Sequence, residues 1–190
     1  MTTQTRQRLK LLGVIMVFVG PLALAYLLYY GLSYGGPGTN GGTLIDPAMR
    51  VPDVMLTDSE GAQTPSGQLL EQKWTILQVA PGGCDTACET SLKETRQIRA
   101  LLHRRATRVQ RVLLTDAQPL PAMPEQPDLS LYRAPLEDFR DLFESQDAMT
   151  PGTVYLIDPL GNWMLYYPPG GDGSALFKDV KHLLKLSHIG

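Results

Sequence analysis

The chain has 190 residues, a formal net charge of -2 and 43% hydrophobic residues. Nothing in that balance supports a nucleic-acid partner. Its two cysteines, Cys84 and Cys88, are too few for the disulfide framework of a small secreted protein. A bond between residues four apart closes too small a loop to add much stability, so the pair points to redox or metal chemistry. The alternative is two buried, inert thiols.

In chain order, residues 1–8 read as a cytoplasmic tail and residues 9–32 as one transmembrane helix. No charged side chain occurs from Leu11 to Tyr34, and ~20 apolar residues cross a bilayer core. Tyr26, Tyr29, Tyr30 and Tyr34 gather at the far end as an interfacial belt would, while Arg6, Arg8 and Lys10 precede the run. The positive-inside rule then places the N-terminus in the cytoplasm and the rest outside. Pro21 is expected to kink the helix. A cleaved signal peptide would have a shorter apolar region and a small-residue cleavage site, so an uncleaved anchor is favoured. Residues 33–48, which include Gly-Gly-Pro-Gly-Thr-Asn-Gly-Gly at 35–42, read as a flexible linker. Such a tether raises the local concentration at a membrane-bound partner.

The soluble domain is expected over residues 49–190, a size that buries its own core. Residues 51–56 suggest a short strand. Residues 74–80 (WTILQVA) form a mostly apolar run typical of a buried central strand. Pro81, Gly82 and Gly83 break it, and a helix is expected over residues 85–105 with Leu92, Ile98, Leu101 and Leu102 on its apolar face. Residues 110–114 and 129–132 suggest further strands, separated by a proline-rich connection. A helix over 136–145 leads to a β-hairpin at 153–167, turned by Asp158-Pro159-Leu160-Gly161. An amphipathic helix over 174–187 closes the chain. This order predicts an α/β fold: a thioredoxin-like central mixed sheet flanked by helices, preceded by one transmembrane helix. Arg96, Arg99, Arg104, Arg105, Arg108 and Arg111 read as a solvated helix face, or as one that meets acidic headgroups or an acidic partner.

Cys84 follows the buried strand and Cys88 falls in the first turn of the next helix. Residues i and i+4 share a helix face, so a disulfide or a shared metal is within reach. The helix N-terminus favours thiolate, the reactive and ligating form. Asp85 opposes this by its charge, and Asp85 or Thr86 is a natural cap. Both sulfurs are expected at the exposed mouth of the strand-to-helix junction.

The cysteine segment, the strand ending at Asp116, the hairpin YLIDPLGNWMLYY at 155–167 and the N-terminal anchor together resemble the Sco/SenC proteins over about residues 50–187. That resemblance implies a thioredoxin-like domain facing the periplasm or intermembrane space. It also implies copper binding through two cysteines and a distal histidine, and a part in assembling the copper centre of cytochrome c oxidase. Cys84 and Cys88 match the two sulfur ligands. The histidine has no match, for its stretch reads Ala148-Met149-Thr150-Pro151-Gly152. His103, His182 and His188 read as surface residues, and the acidic motif after the third strand is reduced to Thr115-Asp116.

Two chemistries follow. Cu(I) can rest on two thiolates alone or with the Met149 thioether, although Met149 also reads as core filler. Thiol–disulfide exchange would use Cys84 and Cys88 as the catalytic pair. Thr150-Pro151 would then resemble the substrate-receiving loop of thioredoxins, cis in that family, with an ordinary trans proline as the alternative. A peroxidase reading is weaker: peroxiredoxins resemble this fold, but Pro81 stands where they carry a threonine. The expected protein is a single-pass component of a bacterial inner membrane with a periplasmic domain. Its partner would be a cytochrome c oxidase subunit, a copper carrier or another assembly factor. The alternative is a non-catalytic scaffold of a respiratory assembly complex.

Overall fold

The computed structural model describes residues 3–31, 40–121, 126–139 and 150–189. They divide into two compact units, Met1–Thr39 and Asn40–Gly190. The first holds a single helix, α1 (Thr3–Gly31), with Pro21 inside it. Its large apolar side chains, among them Met16, Val17, Phe18, Leu22 and Leu27, are exposed. Among the described residues no helix is long and apolar enough to cross a membrane. The membrane-helix expectation for 9–32 therefore rests on the sequence.

The second unit contains β1 (Thr43–Arg50), β2 (Met55–Thr57), β3 (Gln63–Pro65), α2 (Ser66–Leu70), β4 (Trp74–Val79), α3 (Thr86–Leu101), β5 (Val109–Thr115), β6 (Leu129–Arg133), β7 (Val154–Ile157), β8 (Asn162–Tyr167) and α4 (Gly173–Leu186). Short 3-10 turns cover His103–Arg108 and Leu136–Phe139. The sheet order is β1-β8-β7-β4-β5-β6-β2-β3. β4, β5 and β6 are parallel, whereas β7 runs antiparallel to β4 and β8 antiparallel to β7.

β4 is buried along its whole length, which is why it reads as a continuous apolar run rather than an alternating one. Leu77 and Val79 join Val112, Leu114, Tyr155, Ile157 and Trp163 on one face. Tyr155 and Trp163 meet edge to face there, with ring centroids 4.6 Å apart. Trp74 and Ile76 join Val109, Val154 and Leu156 on the other face, beneath Ile98 of α3 and Leu102 just after it, and beneath Leu176, Val180 and Leu184 of α4.

That second face also carries a buried polar chain. Arg111, fully buried, donates from Nη1 to Asp128 Oδ2 at 3.1 Å and to Gln126 Oε1 at 3.1 Å. Its Nη2 donates to the Leu92 carbonyl at 2.6 Å and to Thr95 Oγ1 at 3.0 Å. Thr95 Oγ1 donates to Gln78 Oε1 at 3.0 Å, and Gln78 Nε2 donates to Ser91 Oγ at 2.8 Å. Burial lowers the Arg111 pKa and the neighbouring Asp128 carboxylate raises it again. A guanidinium stays charged regardless.

Several expectations need correction. The linker was expected to reach residue 48, but the sheet already begins at Thr43, where β1 pairs with β8. β1 escapes sequence detection because it is a largely exposed edge strand that contains Pro47 and shifts register between Leu44 and Met49. The strand expected at 51–56 is confined to Met55–Thr57. The cysteine helix ends at Leu101, whose side chain is exposed rather than buried. Of the helix expected at 136–145, Leu136–Phe139 forms a 3-10 turn, and the remainder lies outside the described residues.

The basic stretch is not a single solvated face. Arg96 and Arg99 flank Asp128 at 4.0 and 3.8 Å. Arg108 caps the C-terminal helix, donating to the carbonyls of Leu184, Ser187 and Ile189. Arg111 belongs to a strand and is sealed in the core.

The buried guanidinium yields a stability prediction. Arg111→Met leaves Thr95 Oγ1, Gln126 Oε1 and the Leu92 carbonyl without this donor and Asp128 with only the more distant Arg96 and Arg99, and should cost about 3 kcal/mol, as breaking a buried ion pair does. Urea unfolding of the full chain measures it, and Arg111→Met with Asp128→Asn should recover part of the loss.

Candidate functional site

The turn that presents Cys84 is held from the neighbouring strand. Ala80 donates its N–H to the Leu114 carbonyl at 2.9 Å, and Thr115 Oγ1 donates to the Ala80 carbonyl at 2.7 Å. Gly83 N–H closes back on the same carbonyl at 3.0 Å. Asp116 Oδ1 accepts the Gly82 N–H at 2.6 Å. Thr115-Asp116, noticed in the sequence only as the remnant of a motif, is thus the support of the cysteine turn.

Asp85 takes the capping role. Its Oδ1 accepts the Cys88 N–H at 2.9 Å, satisfying one of the free donors of the first turn of α3. Cys84 and Cys88 form a disulfide with Cα atoms 5.3 Å apart. The two sulfurs are unequally placed. Cys84 is half-buried, while Cys88 has 0% exposure and packs with Ala80, Leu92 and Leu113. The expectation that both share an exposed mouth therefore fails for Cys88. The reason is that α3 turns its apolar face onto the sheet, and position 88 shares that face with Leu92.

The loop before β7 lies against the same helix turn. Gly152 has φ +90°, and a Cβ there would sit 3.3 Å from the C and O atoms of Ala87. Both the conformation and the close approach require glycine. Ser91 Oγ donates to the Gly152 carbonyl at 2.9 Å, so this loop is the far end of the polar chain that starts at Asp128. Thr153 Oγ1 is buried next to it, without a hydrogen-bond partner among the described residues. Thr150 and Pro151 immediately precede this contact. The cis X-Pro bonds among the described residues are Asp46–Pro47 and Gln118–Pro119, so of the two alternatives at Thr150–Pro151 the structure has the ordinary trans proline.

Met149 lies outside the described residues. Among the described residues no group of three His, Cys, Asp or Glu side chains is placed to hold a metal. His103, His182 and His188 are all exposed. Among the described residues the sulfur donors at the turn are Cys84 and Cys88, one of them buried and both engaged in the disulfide.

Sequence reasoning missed Gln78, Ser91, Thr95, Arg111 and Gly152 as supports of the site. The available signal was a long polar or charged side chain within each of two mostly apolar strands, Gln78 in WTILQV and Arg111 in VQRVLLT.

A family model described as the transmembrane-like, thioredoxin-like, C-terminal domain matches residues 74–187. A second, the transmembrane-like N-terminal domain, matches residues 2–31. No curated protein matches the sequence. Among solved structures, yeast Sco1 with copper bound is 16% identical, with 75% of this chain and 96% of that chain covered and a TM-score of 0.59. Apo Sco1 from Thermus thermophilus is 20% identical, covering 78% and 99%, with a TM-score of 0.58. BsSco, a member of the Sco family of cytochrome c oxidase assembly proteins in which a disulfide switch was identified, is 14% identical, covering 76% and 99%, with a TM-score of 0.56. At these identities the likeness is one of fold, and the fold is the Sco/SenC-like form of thioredoxin. With more than half its length matched by the C-terminal model, the chain belongs to the transmembrane-like, thioredoxin-like family.

Proposed function

We propose that the chain is a membrane-anchored thiol–disulfide exchange protein that acts outside a bacterial inner membrane in assembly of the copper centre of cytochrome c oxidase. The observation that carries the chemistry is the unequal pair: a half-exposed Cys84 bonded to a sealed Cys88 at a helix N-terminus. An exchange site needs one sulfur that meets substrate and one that meets only its neighbour. The fold likeness to the Sco proteins supports the biological setting. The charge-free run and the N-terminal family match support the anchor.

In the reduced protein the Cys84 thiolate attacks a disulfide of the substrate. The substrate S–S bond breaks, one substrate sulfur leaves as thiolate, and a mixed disulfide forms on Cys84. The Cys88 thiolate then attacks Cys84 Sγ and the second substrate sulfur leaves. Two electrons pass to the substrate, whose two thiolates take protons from solvent. The Cys84–Cys88 disulfide is the product state. A dithiol donor regenerates the pair by the reverse sequence. The α3 N-terminus stabilises each thiolate as it forms. Thr150 and Pro151, beside the Gly152 contact with Ala87, receive the substrate backbone. The substrate is a cysteine pair in an oxidase subunit or a copper carrier.

Transfer of Cu(I) as cargo is the second reading, favoured by the copper-bound yeast structure of the same fold. Two thiolates suffice for that ion, but burial of Cys88 leaves only Cys84 open to a carrier.

Three outcomes test these readings. Incubated with glutathione disulfide after reduction, Cys88→Ser should accumulate a mixed disulfide on Cys84, while Cys84→Ser should give at least about tenfold less, because its remaining thiol is sealed. Mass spectrometry of the full chain reads both, and equal adducts would count against an ordered pair. Asp85→Asn keeps the cap but removes a charge beside the sulfurs. It should move the glutathione equilibrium about threefold toward the dithiol, from ~0.7 kcal/mol of charge repulsion at ~6 Å in water. Cu(I) titration of the reduced chain against a competing chelator should leave no one-to-one complex. A stable complex lost in either serine variant would favour the cargo reading.

A further inference from the structure

The arginines at the C-terminal end of α3 fall into two groups. Arg96, Arg99 and Arg108 are engaged with Asp128 or with backbone carbonyls. Arg104 and Arg105 are exposed, and their side chains have no ion-pair or hydrogen-bond partner among the described residues. Both line an open cleft of about 460 Å³, which Leu101, Leu102 and His103 share with Phe177 and Lys181 of α4.

The lining combines uncompensated charge with apolar surface. No carboxylate lines the cleft. The sequence holds no Asp or Glu from Thr95 to Thr115, and Asp179 is the one acid from Gly173 onward. Asp179 is buried and engaged elsewhere: it accepts the Gly41 and Gly42 N–H groups, each at 2.9 Å, and the Tyr167 hydroxyl at 2.7 Å. Lys181 Nζ stands 5.5 Å from the centroid of the Phe177 ring, one helical turn away, where a cation and a ring face attract. Leu101 keeps 54% of its surface exposed. His103 has φ +49°, a left-handed conformation that a helix end usually gives to glycine. Such strain persists where the surroundings hold it, and it gathers at binding sites.

We infer that this cleft binds a small organic anion, a carboxylate or phosphate group on an apolar body about the size of a ring. Guanidinium forks suit the oxygens of such a group. The apolar body covers Leu101 and Phe177, which an inorganic anion leaves wet. The volume falls within the about 300–1,000 Å³ of small-ligand sites. An acidic protein surface would meet the cations without filling the cavity. α3 has 16 residues, ~24 Å of helix, between this site and the cysteine turn, so the inference stands apart from the exchange chemistry.

The probe is phenyl phosphate, titrated calorimetrically into the full chain in a neutral detergent. It should saturate one-to-one with Kd below about 1 mM, at least about tenfold tighter than inorganic phosphate. Arg104→Gln with Arg105→Gln should weaken it about tenfold, about threefold for each exposed charge. Leu101→Gln should weaken phenyl phosphate about threefold and leave inorganic phosphate unchanged. All three positions are exposed, and urea unfolding of each variant reports an intact fold. Absence of saturable binding, equal affinity for the two phosphates, or an unchanged phenyl phosphate affinity in either variant would overturn the inference. Displacement of the probe by equimolar poly-glutamate would also overturn it, in favour of an acidic peptide.

Discussion

A charged guanidinium sealed between a helix and a sheet is costly unless nearly every donor is used and a countercharge is near. Arg111 meets both conditions with Asp128, Gln126, Thr95 and the Leu92 carbonyl. The consequence is geometric. Hydrophobic contact alone tolerates sliding, because it has no direction. The chain from Asp128 through Arg111, Thr95, Gln78 and Ser91 to the Gly152 carbonyl has fixed donor and acceptor positions. It sets the height and rotation of α3 over β4 and β5. Because its last member is in the loop before β7, it also sets the distance between that loop and the cysteine turn. The apolar contacts of α3 supply most of the attraction, and the polar chain supplies register.

Much of this architecture was legible in the sequence. The buried strand at 74–79, the helix after it, the hairpin around Asp158 and the closing helix follow from period, turn chemistry and length. The Asp158 turn is as written: its Oδ1 accepts the N–H groups of Leu160 and Asn162. What could not be read depends on pairing across the chain. β1 has no apolar pattern because its partner β8 supplies the order. Arg111 looks like one of six arginines in a charged stretch until the alternation of β5 points it inward. The Gly-Gly pair at 41–42 has the composition of a linker and the contacts of a joint. Composition reports what a segment can do alone, and these three segments are defined by what lies opposite them.

The site shows the same division. The position of Cys84 and Cys88 and a cap at Asp85 or Thr86 could be argued from spacing, and the nearness of the 150–152 loop from its resemblance to thioredoxins. The unequal burial of the two sulfurs could not, because it depends on how far α3 rolls toward Leu113. That difference is what the exchange reading rests on. Two thiolates equally open to solvent would suit a metal handed between carriers by ligand exchange. One open sulfur above one closed sulfur suits sequential exchange, in which the inner thiol reacts only with the bond its neighbour has just made.

The electrostatics around the turn are also graded rather than uniformly favourable to thiolate. The N-terminus of α3 offers partial positive charge, but Asp85 takes the Cys88 N–H and places a carboxylate there, and Asp116 holds the Gly82 N–H. Two donors that might have faced a sulfur anion are spent on carboxylates that shape the turn. Such a site stabilises the thiolate less than a bare helix end would. A less stable thiolate is a poorer leaving group and, where it forms, a better nucleophile, but less of it is present at a given pH. On the proposed exchange reading, the carboxylates that shape the turn therefore set the balance between how much thiolate forms and how readily it attacks.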